Sequence, residues 1–414
     1  MQTYSSRQSN LAEDASQLMM RIAHIILFVG VPVSAAFSRR GVFILMPLGL
    51  ALILLAAAMN MPQGGLLRIK ETFLHPAVLF LWALIAWMGF SLVWTPYFGP
   101  ASERFIKTGG TLLLAACAAG ALPARIKTSY LYLLLTGLGL GALAALISYA
   151  SGESASLIGF DSDVSLLERS ALGLNLLLWP ALAAAFVRER QKLAVIFVFI
   201  TALTLILVNN KAGMIALALA ILSAGLSLKN SRYIAGFWGV LFALTLGLAP
   251  LLMLTFTPSG TSESYEASGL LAGLSAMAEL FRIEGWRLLT GHGFDSYLRS
   301  VNNGVLPSSS LRSGVFELWY ELGFWGVVAV IGLLLILLKR SLNQSREIAP
   351  FHIGAIVYVG ALAILGQVSF QLWWITLIAL LGFAFSLVAR GRYRNERPAM
   401  RITGQRPRIT ELQI

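Results

Sequence analysis

Apolar residues run through this chain in long unbroken stretches, and the polar residues gather between them. The stretches fall at roughly 20–37, 42–59, 76–94, 108–123, 129–150, 170–187, 192–208, 212–228, 233–256, 315–338, 350–369 and 371–389. Most approach the length of about 20 residues that a helix needs to cross hydrocarbon. Lipid cannot hydrogen-bond a bare backbone, so a spanning segment is a helix or part of a closed barrel. The stretches are continuous and not alternating, which selects helices. The pattern therefore predicts an all-α, polytopic membrane protein with about twelve transmembrane helices. Only Asn209-Asn210-Lys211 divide the seventh stretch from the eighth, and only Gln371 and its neighbours divide the eleventh from the twelfth.

One long interruption, residues 257–314 between the ninth and tenth predicted helices, carries most of the polar chemistry: Arg282, Trp286, Arg287, His292, Asp295, Arg299 and Arg312. The chain re-enters the membrane through Glu317-Leu318-Trp319-Tyr320-Glu321-Leu322-Gly323. Packing in lipid alone needs no such segment. Its guanidinium groups point to a site at one membrane face for an anionic substrate.

Composition agrees with the pattern. The 414 residues are 57% hydrophobic and 12% charged, where a soluble chain carries about 25% charged residues. The net charge of +12 sits mostly in short loops and the tail, where it orients the chain in the membrane and does not mark a nucleic-acid surface. With the N-terminus (residues 1–19) in the cytoplasm, the cytoplasmic connections hold Arg68 and Lys70; Arg125 and Lys127; Arg188, Arg190 and Lys192; Lys229 and Arg232; and Lys339, Arg340 and Arg346. Alternate loops are poorer in such residues, Arg39-Arg40 excepted, and the connection near 151–168 is acidic. The integral membrane domain is then 20–389, the 257–314 loop is periplasmic, and the basic tail 390–414 is cytoplasmic and disordered. The first apolar run ends in Ser34-Ala35-Ala36, yet a long segment with Glu13 and Asp14 precedes it, so a retained helix is expected rather than a secretion signal. Cys117 is the only cysteine, which excludes an intrachain disulfide and a cysteine metal site.

Charges at membrane depth cost about 2.5–3.5 kcal/mol each on insertion scales and are rarely idle. Arg169 opens the sixth stretch and Lys211 lies between the seventh and eighth. Glu317 and Glu321 stand four apart on the tenth predicted helix, which sets both carboxylates on one face. In the loop, Arg282-Ile283-Glu284-Gly285-Trp286-Arg287 reads as an amphipathic helical turn, followed by Gly291-His292-Gly293, where glycine lets the backbone bend tightly. A guanidinium grips phosphate bidentately, and His292 has an ordinary pKa suited to proton abstraction. Asp161-Ser162-Asp163 has a metal-binding spacing but falls outside the cytoplasm, away from nucleotide sugars. His24, His75, His292 and His352 are too scattered for a metal site.

From Trp94-Thr95-Pro96 onward, and most densely over about 160–335, the chain resembles the O-antigen ligase and polysaccharide polymerase family of bacterial envelope enzymes. Asn210-Lys211-Ala212-Gly213 stands where members carry a Ser-Arg-Gly-like turn. Arg282 and Trp286 match an Arg ahead of a Trp, Gly291-His292-Gly293 matches a Gly-x-Gly turn, and Glu321-Leu322-Gly323 matches a Glu-x-Gly sequence. The family's His-Asn pair falls here on Arg312 and Ser313, which moves weight from a ligase toward a polymerase-like or divergent member. The resemblance implies a multi-pass protein of the bacterial inner membrane. It implies transfer of a glycan from a polyprenyl-pyrophosphate donor to an acceptor glycan or lipid A-core, with no metal, nucleotide or other cofactor. Lys211 and Arg282, with Arg169 and Arg312, would hold the pyrophosphate, and Glu321, Glu317 or His292 would take the acceptor's proton. A transporter or flippase of lipid-linked glycans is the alternative; it calls for charges along a central path, whereas here they gather at the loop and the adjoining helix ends.

Overall fold

The computed structural model describes residues 2–38, 40–59, 65–123, 126–127, 129–151, 164–256, 278–306, 313–366 and 371–391. The described residues are helical, with no strand among them. In chain order the helices are α1 (Gln2–Ile25), continued by a π-helical turn (Ile26–Gly30), α2 (Val31–Ala35), α3 (Gly41–Met59), α4 (Gly65–Phe73), α5 (Pro76–Ser91), α6 (Phe98–Ala121) and α7 (Ser129–Ser151). Then follow α8 (Val164–Val187), α9 (Gln191–Leu207), α10 (Lys211–Phe256), α11 (Arg287–Thr290), α12 (Tyr297–Asn302), α13 (Gly314–Leu342), α14 (Ala349–Ile364) and α15 (Leu372–Arg390). Among the described residues, 7 helices are long and apolar enough to cross a membrane, and three shorter apolar helices, α5, α9 and α14, accompany them.

Several helix bounds differ from the apolar stretches, each for a local reason. Helix α6 begins ten residues before the expected 108, because a helix needs no apolar residue to propagate; this carries Glu103, Arg104 and Lys107 into the helix. The stretch expected over 350–369 ends as a helix at Ile364, beside Gly366 in the left-handed region at φ 74°. The eighth and ninth stretches form one element, α10, broken at Asn230 (φ −150°, ψ 77°). The break folds the helix back on itself, and Trp238 Nε1 donates to Ser223 Oγ across it at 2.9 Å.

Helix α8 is the centre of the bundle. Its apolar window is 89% buried, against 33% to 72% for the other six candidate spans, and α2, α7, α9, α14 and α15 pack around it. Trp179 of α8 is fully buried, and its ring fills the notch left by Gly354 of α14, where any Cβ would overlap it. Asn175, also fully buried on α8, donates through Nδ2 to Ala171 O at 2.8 Å and Thr201 O at 3.0 Å, tying α8 to α9. Hydrogen bonds between helices are needed here because lipid supplies none.

Two apolar cores result. The larger joins α1, α3, α7, α8, α9, the two arms of α10, α14 and α15. The smaller joins α5, the far end of α10, segment 278–306 and the first half of α13. Pro250 lacks an N–H, so Leu246 O in α10 has no i+4 donor; Trp319 Nε1 of α13 occupies it at 2.7 Å.

Close approach of α7 to the first helix depends on small residues. A Cβ on Gly137 would overlap the Phe28 carbonyl, and one on Gly141 would meet Pro32 Cβ at 2.8 Å, whereas Gly110 of α6 faces open space. Gly137→Leu is expected to reduce the yield of monodisperse protein in mild detergent several-fold, and Gly110→Leu to leave it unchanged, as read by size-exclusion chromatography.

Candidate functional site

The site is built on an interruption in α13. At Gly323 the backbone leaves helical geometry (φ 59°, ψ −158°), a conformation open to glycine. Carbonyls just before such a break lose their helical donors, and three in a row find others. Tyr320 O accepts from His292 N at 2.7 Å and Glu321 O from Gly293 N at 3.0 Å. Leu322 O accepts from Trp87 Nε1 of α5 at 2.8 Å. Two motifs far apart in sequence, Gly291-His292-Gly293 and Glu321-Leu322-Gly323, thus lie backbone against backbone. Both partners need glycine: a Cβ on Gly291 (φ 69°) would collide with Glu321 O, and one on Gly323 would stand 2.6 Å from Gly291 N.

The turn is fixed from its other side by the end of α5. Phe294 N donates to Ser91 Oγ at 3.1 Å, and Thr95 Oγ1 donates to Phe294 O at 3.2 Å. The loop between the ninth and tenth apolar stretches, over its described part 278–306, is therefore an ordered insert docked on α13. A helical stretch at 278–283, the short α11 and α12 make up much of it.

This docking gathers the carboxylates. Glu317 and Glu321 are both buried, at 0% and 1% exposure, and Asp295 at 2%. Glu321 Oε1 accepts from Tyr297 N at 3.1 Å. Asp295, held at φ 62°, accepts from Arg299 Nε at 2.7 Å and forms a short ion pair with Arg104 of α6. Arg104 also lies within electrostatic reach of Glu321 and Glu317. Among the described residues, Arg104 is thus a guanidinium beside the expected carboxylate pair. Sequence reading passed over it because it flanks an apolar stretch and belongs to no motif; its signal was an arginine at the membrane-entry end of a helix, in Ser102-Glu103-Arg104-Phe105.

His292 is held tightly. Its ring stacks on Tyr320 at 4.1 Å and 8°, Nδ1 stands 3.2 Å from Tyr320 O, and Nε2 stands 3.0 Å from Glu284. Burial pushes its pKa below the ordinary 6.5, against the pull of these two acceptors. Glu284 is half-exposed and its charge is screened, so burial prevails.

The expected phosphate-binding residues are placed in two groups. Asn210 caps α10, its Oδ1 accepting from Gly213 N at 2.6 Å, while its Nδ2 donates to Glu168 at 2.6 Å. This brings the exposed Lys211 to the start of α8, where Arg169 lies over the Trp373 ring at 5.7 Å. Arg282 is on the insert, 3.5 Å from Glu279. Arg312 lies outside the described residues, as do Asp161 and Asp163. Ser313 caps α13 and donates to Ala363 O at the end of α14. The Asn210–Glu168 contact thus sets Lys211 beside the start of α8, while the insert and the carboxylates meet at the start of α13. A cavity of about 480 Å³ lies in an apolar groove between the π-helical turn, α2 and α7, and none of these charged residues lines it.

No protein-family model matches the chain, and no curated protein matches it.

Gly304 also has positive φ (71°) but open space around it. Gly304→Ala should cost about 1–3 kcal/mol through backbone strain alone, and Gly291→Ala and Gly323→Ala clearly more, measured by thermal unfolding in detergent. His292 gives a pH dependence. Above about 6.5, the ring is neutral in both folded and unfolded chains. As pH falls from there toward the lower folded value, only the unfolded chain gains a proton, so stability drops. The unfolding midpoint should fall between pH 7.5 and 5.5, and less steeply in His292→Gln.

Proposed function

We propose that this chain is a glycosyltransferase of the bacterial inner membrane, with about twelve spans, cytoplasmic termini and the insert on the periplasmic side. The observation that carries the reading is the junction of Gly291-His292-Gly293 with Glu321-Leu322-Gly323. These are two of the short sequences on which the resemblance to O-antigen ligases and polysaccharide polymerases was drawn, and their contact supports a shared site. The donor is a glycan on polyprenyl pyrophosphate, and the acceptor is a sugar hydroxyl on a second glycan or on a lipid A-core. Pyrophosphate leaves readily once its charge is offset, and Lys211, Arg169 and two arginines of the loop, Arg282 and Arg312, supply the positive charge.

Glu321 or Glu317 takes the proton of the acceptor hydroxyl as its oxygen attacks the anomeric carbon. The new C–O bond forms while the bond from that carbon to the pyrophosphate oxygen breaks, and the lipid pyrophosphate departs. Arg104 stays protonated and holds the carboxylates in place. The ring of His292, stacked on Tyr320 and set between Tyr320 O and Glu284, fits a role in holding the turn. The serine that follows Arg312 is occupied as a helix cap, which favours a polymerase-like or divergent member over a ligase.

The test is transfer by purified protein in vesicles supplied with a polyprenyl-pyrophosphate glycan. Glu321→Gln keeps the oxygen that accepts from Tyr297 N and should lower turnover on the order of 10²–10⁴-fold. Lys211→Ala and Arg282→Ala should abolish transfer with an unchanged elution profile, and full activity in both would remove the pyrophosphate site. In cells, loss of the gene should leave single repeat units attached to their acceptor if the protein is a polymerase, and free lipid-linked polymer beside a bare core if it is a ligase.

A further inference from the structure

The insert is apolar on two sides, and among the described residues only one of them is covered by protein. Toward α13 it buries Ala278 and Phe281, with Leu288 packed beside them. On its other side Ile283, Trp286 and Leu289 are 73%, 60% and 56% exposed. Three large side chains on one short segment, presented together, make an unfavourable face for water. Polar residues lie between the two faces: Arg287 sits over the Trp286 ring at 4.0 Å, and Glu284 pairs with His292.

What lies next to this face identifies its occupant. A Cβ on Gly323 would stand 2.8 Å from Leu289 O, so the segment rests against the point where α13 is broken. Immediately past that point Phe324 and Trp325 of α13 are exposed, on a helix long and apolar enough to cross a membrane. On the other flank Trp87 of α5 donates to Leu322 O and meets the exposed Phe90 in a tilted ring contact. The exposed face of the insert thus adjoins exposed aromatic residues of two apolar helices. Tryptophan beside arginine is the composition favoured at the boundary between headgroups and acyl chains.

We infer that segment 282–290 is seated in the bilayer, with Ile283, Trp286 and Leu289 inserted at the headgroup boundary and Arg282 and Arg287 at headgroup level. The insert is then anchored at three places: to α13 by backbone hydrogen bonds, to α5 through Ser91 and Thr95, and to the lipid surface by this face. The inference does not depend on the proposed sugar transfer.

The single Cys117 makes the test direct. In a Cys117→Ser background, Ile283→Cys and Leu289→Cys are labelled with a small fluorophore, and the full chain is reconstituted in phosphatidylcholine–phosphatidylglycerol vesicles. The vesicles carry lipid with a nitroxide near the headgroup (position 5) or deep in the chain (position 12). Phe199→Cys on the outer face of α9 serves as the lipid-facing control. The expected result is at least twofold stronger quenching of both labels by the shallow nitroxide than by the deep one. Absence of quenching by either nitroxide, with the control quenched, would place the face in water and overturn the inference. Emission that changes with protein-to-lipid ratio instead of nitroxide content would assign the face to a second copy and overturn it equally. Should one variant fail to elute as a single species, the other carries the test.

Discussion

Everything at the polar end of this molecule depends on one backbone contact: residues 291–293 lying along the carbonyls that α13 exposes at Gly323. A continuous helix would offer no such acceptors, and a turn with side chains at 291 and 323 could not come near enough to use them. Because main-chain groups make the contact, its geometry is fixed by φ and ψ more than by side-chain choice. The insert is thereby held at one height along α13, and Asp295, Tyr297 and Ser300 are brought to Arg104, Glu321 and Tyr320.

The charges follow from that placement. Three buried carboxylates near one another repel strongly in a medium poor in water. Arg104 and Arg299 both bond to Asp295, so the acid nearest the insert's turn carries two cations, and the field of Arg104 extends to both glutamates of α13. One guanidinium thus links three parts of the chain: α6, the insert and α13. Removing it would leave buried charge uncompensated, which is far costlier than the pair's own net worth. The neighbouring group around Asn210, Glu168, Lys211 and Arg169 is arranged differently. There a neutral amide ties two helix starts together, and the cations stay near the surface.

Much of this was legible in the sequence. The all-α character and the membrane-length helices follow from unbroken apolar runs, since hydrocarbon admits little else. Gly291-His292-Gly293 could be singled out because glycine at short spacing is a backbone requirement written in residue type, and Glu321-Leu322-Gly323 through the family resemblance. That they touch each other could not be read, because hydrogen bonds between backbones leave no trace in side-chain identity. Arg104 was missed for a related reason: a charge at the edge of an apolar run looks like a boundary marker, and only the fold reveals what it faces. The ends of α6 and α14 departed from the apolar stretches where helix propagation or a left-handed glycine, and not hydropathy, set the limit.

The notch at Gly354 has a mechanical consequence. With the Trp179 indole seated in it, α8 and α14 are keyed like a bolt in its striker, and neither can slide along the other until the ring is withdrawn. The larger core therefore behaves as a fixed chassis. Any shape change near the acid cluster then falls to the smaller core, which takes no part in the contact of Trp179 with Gly354.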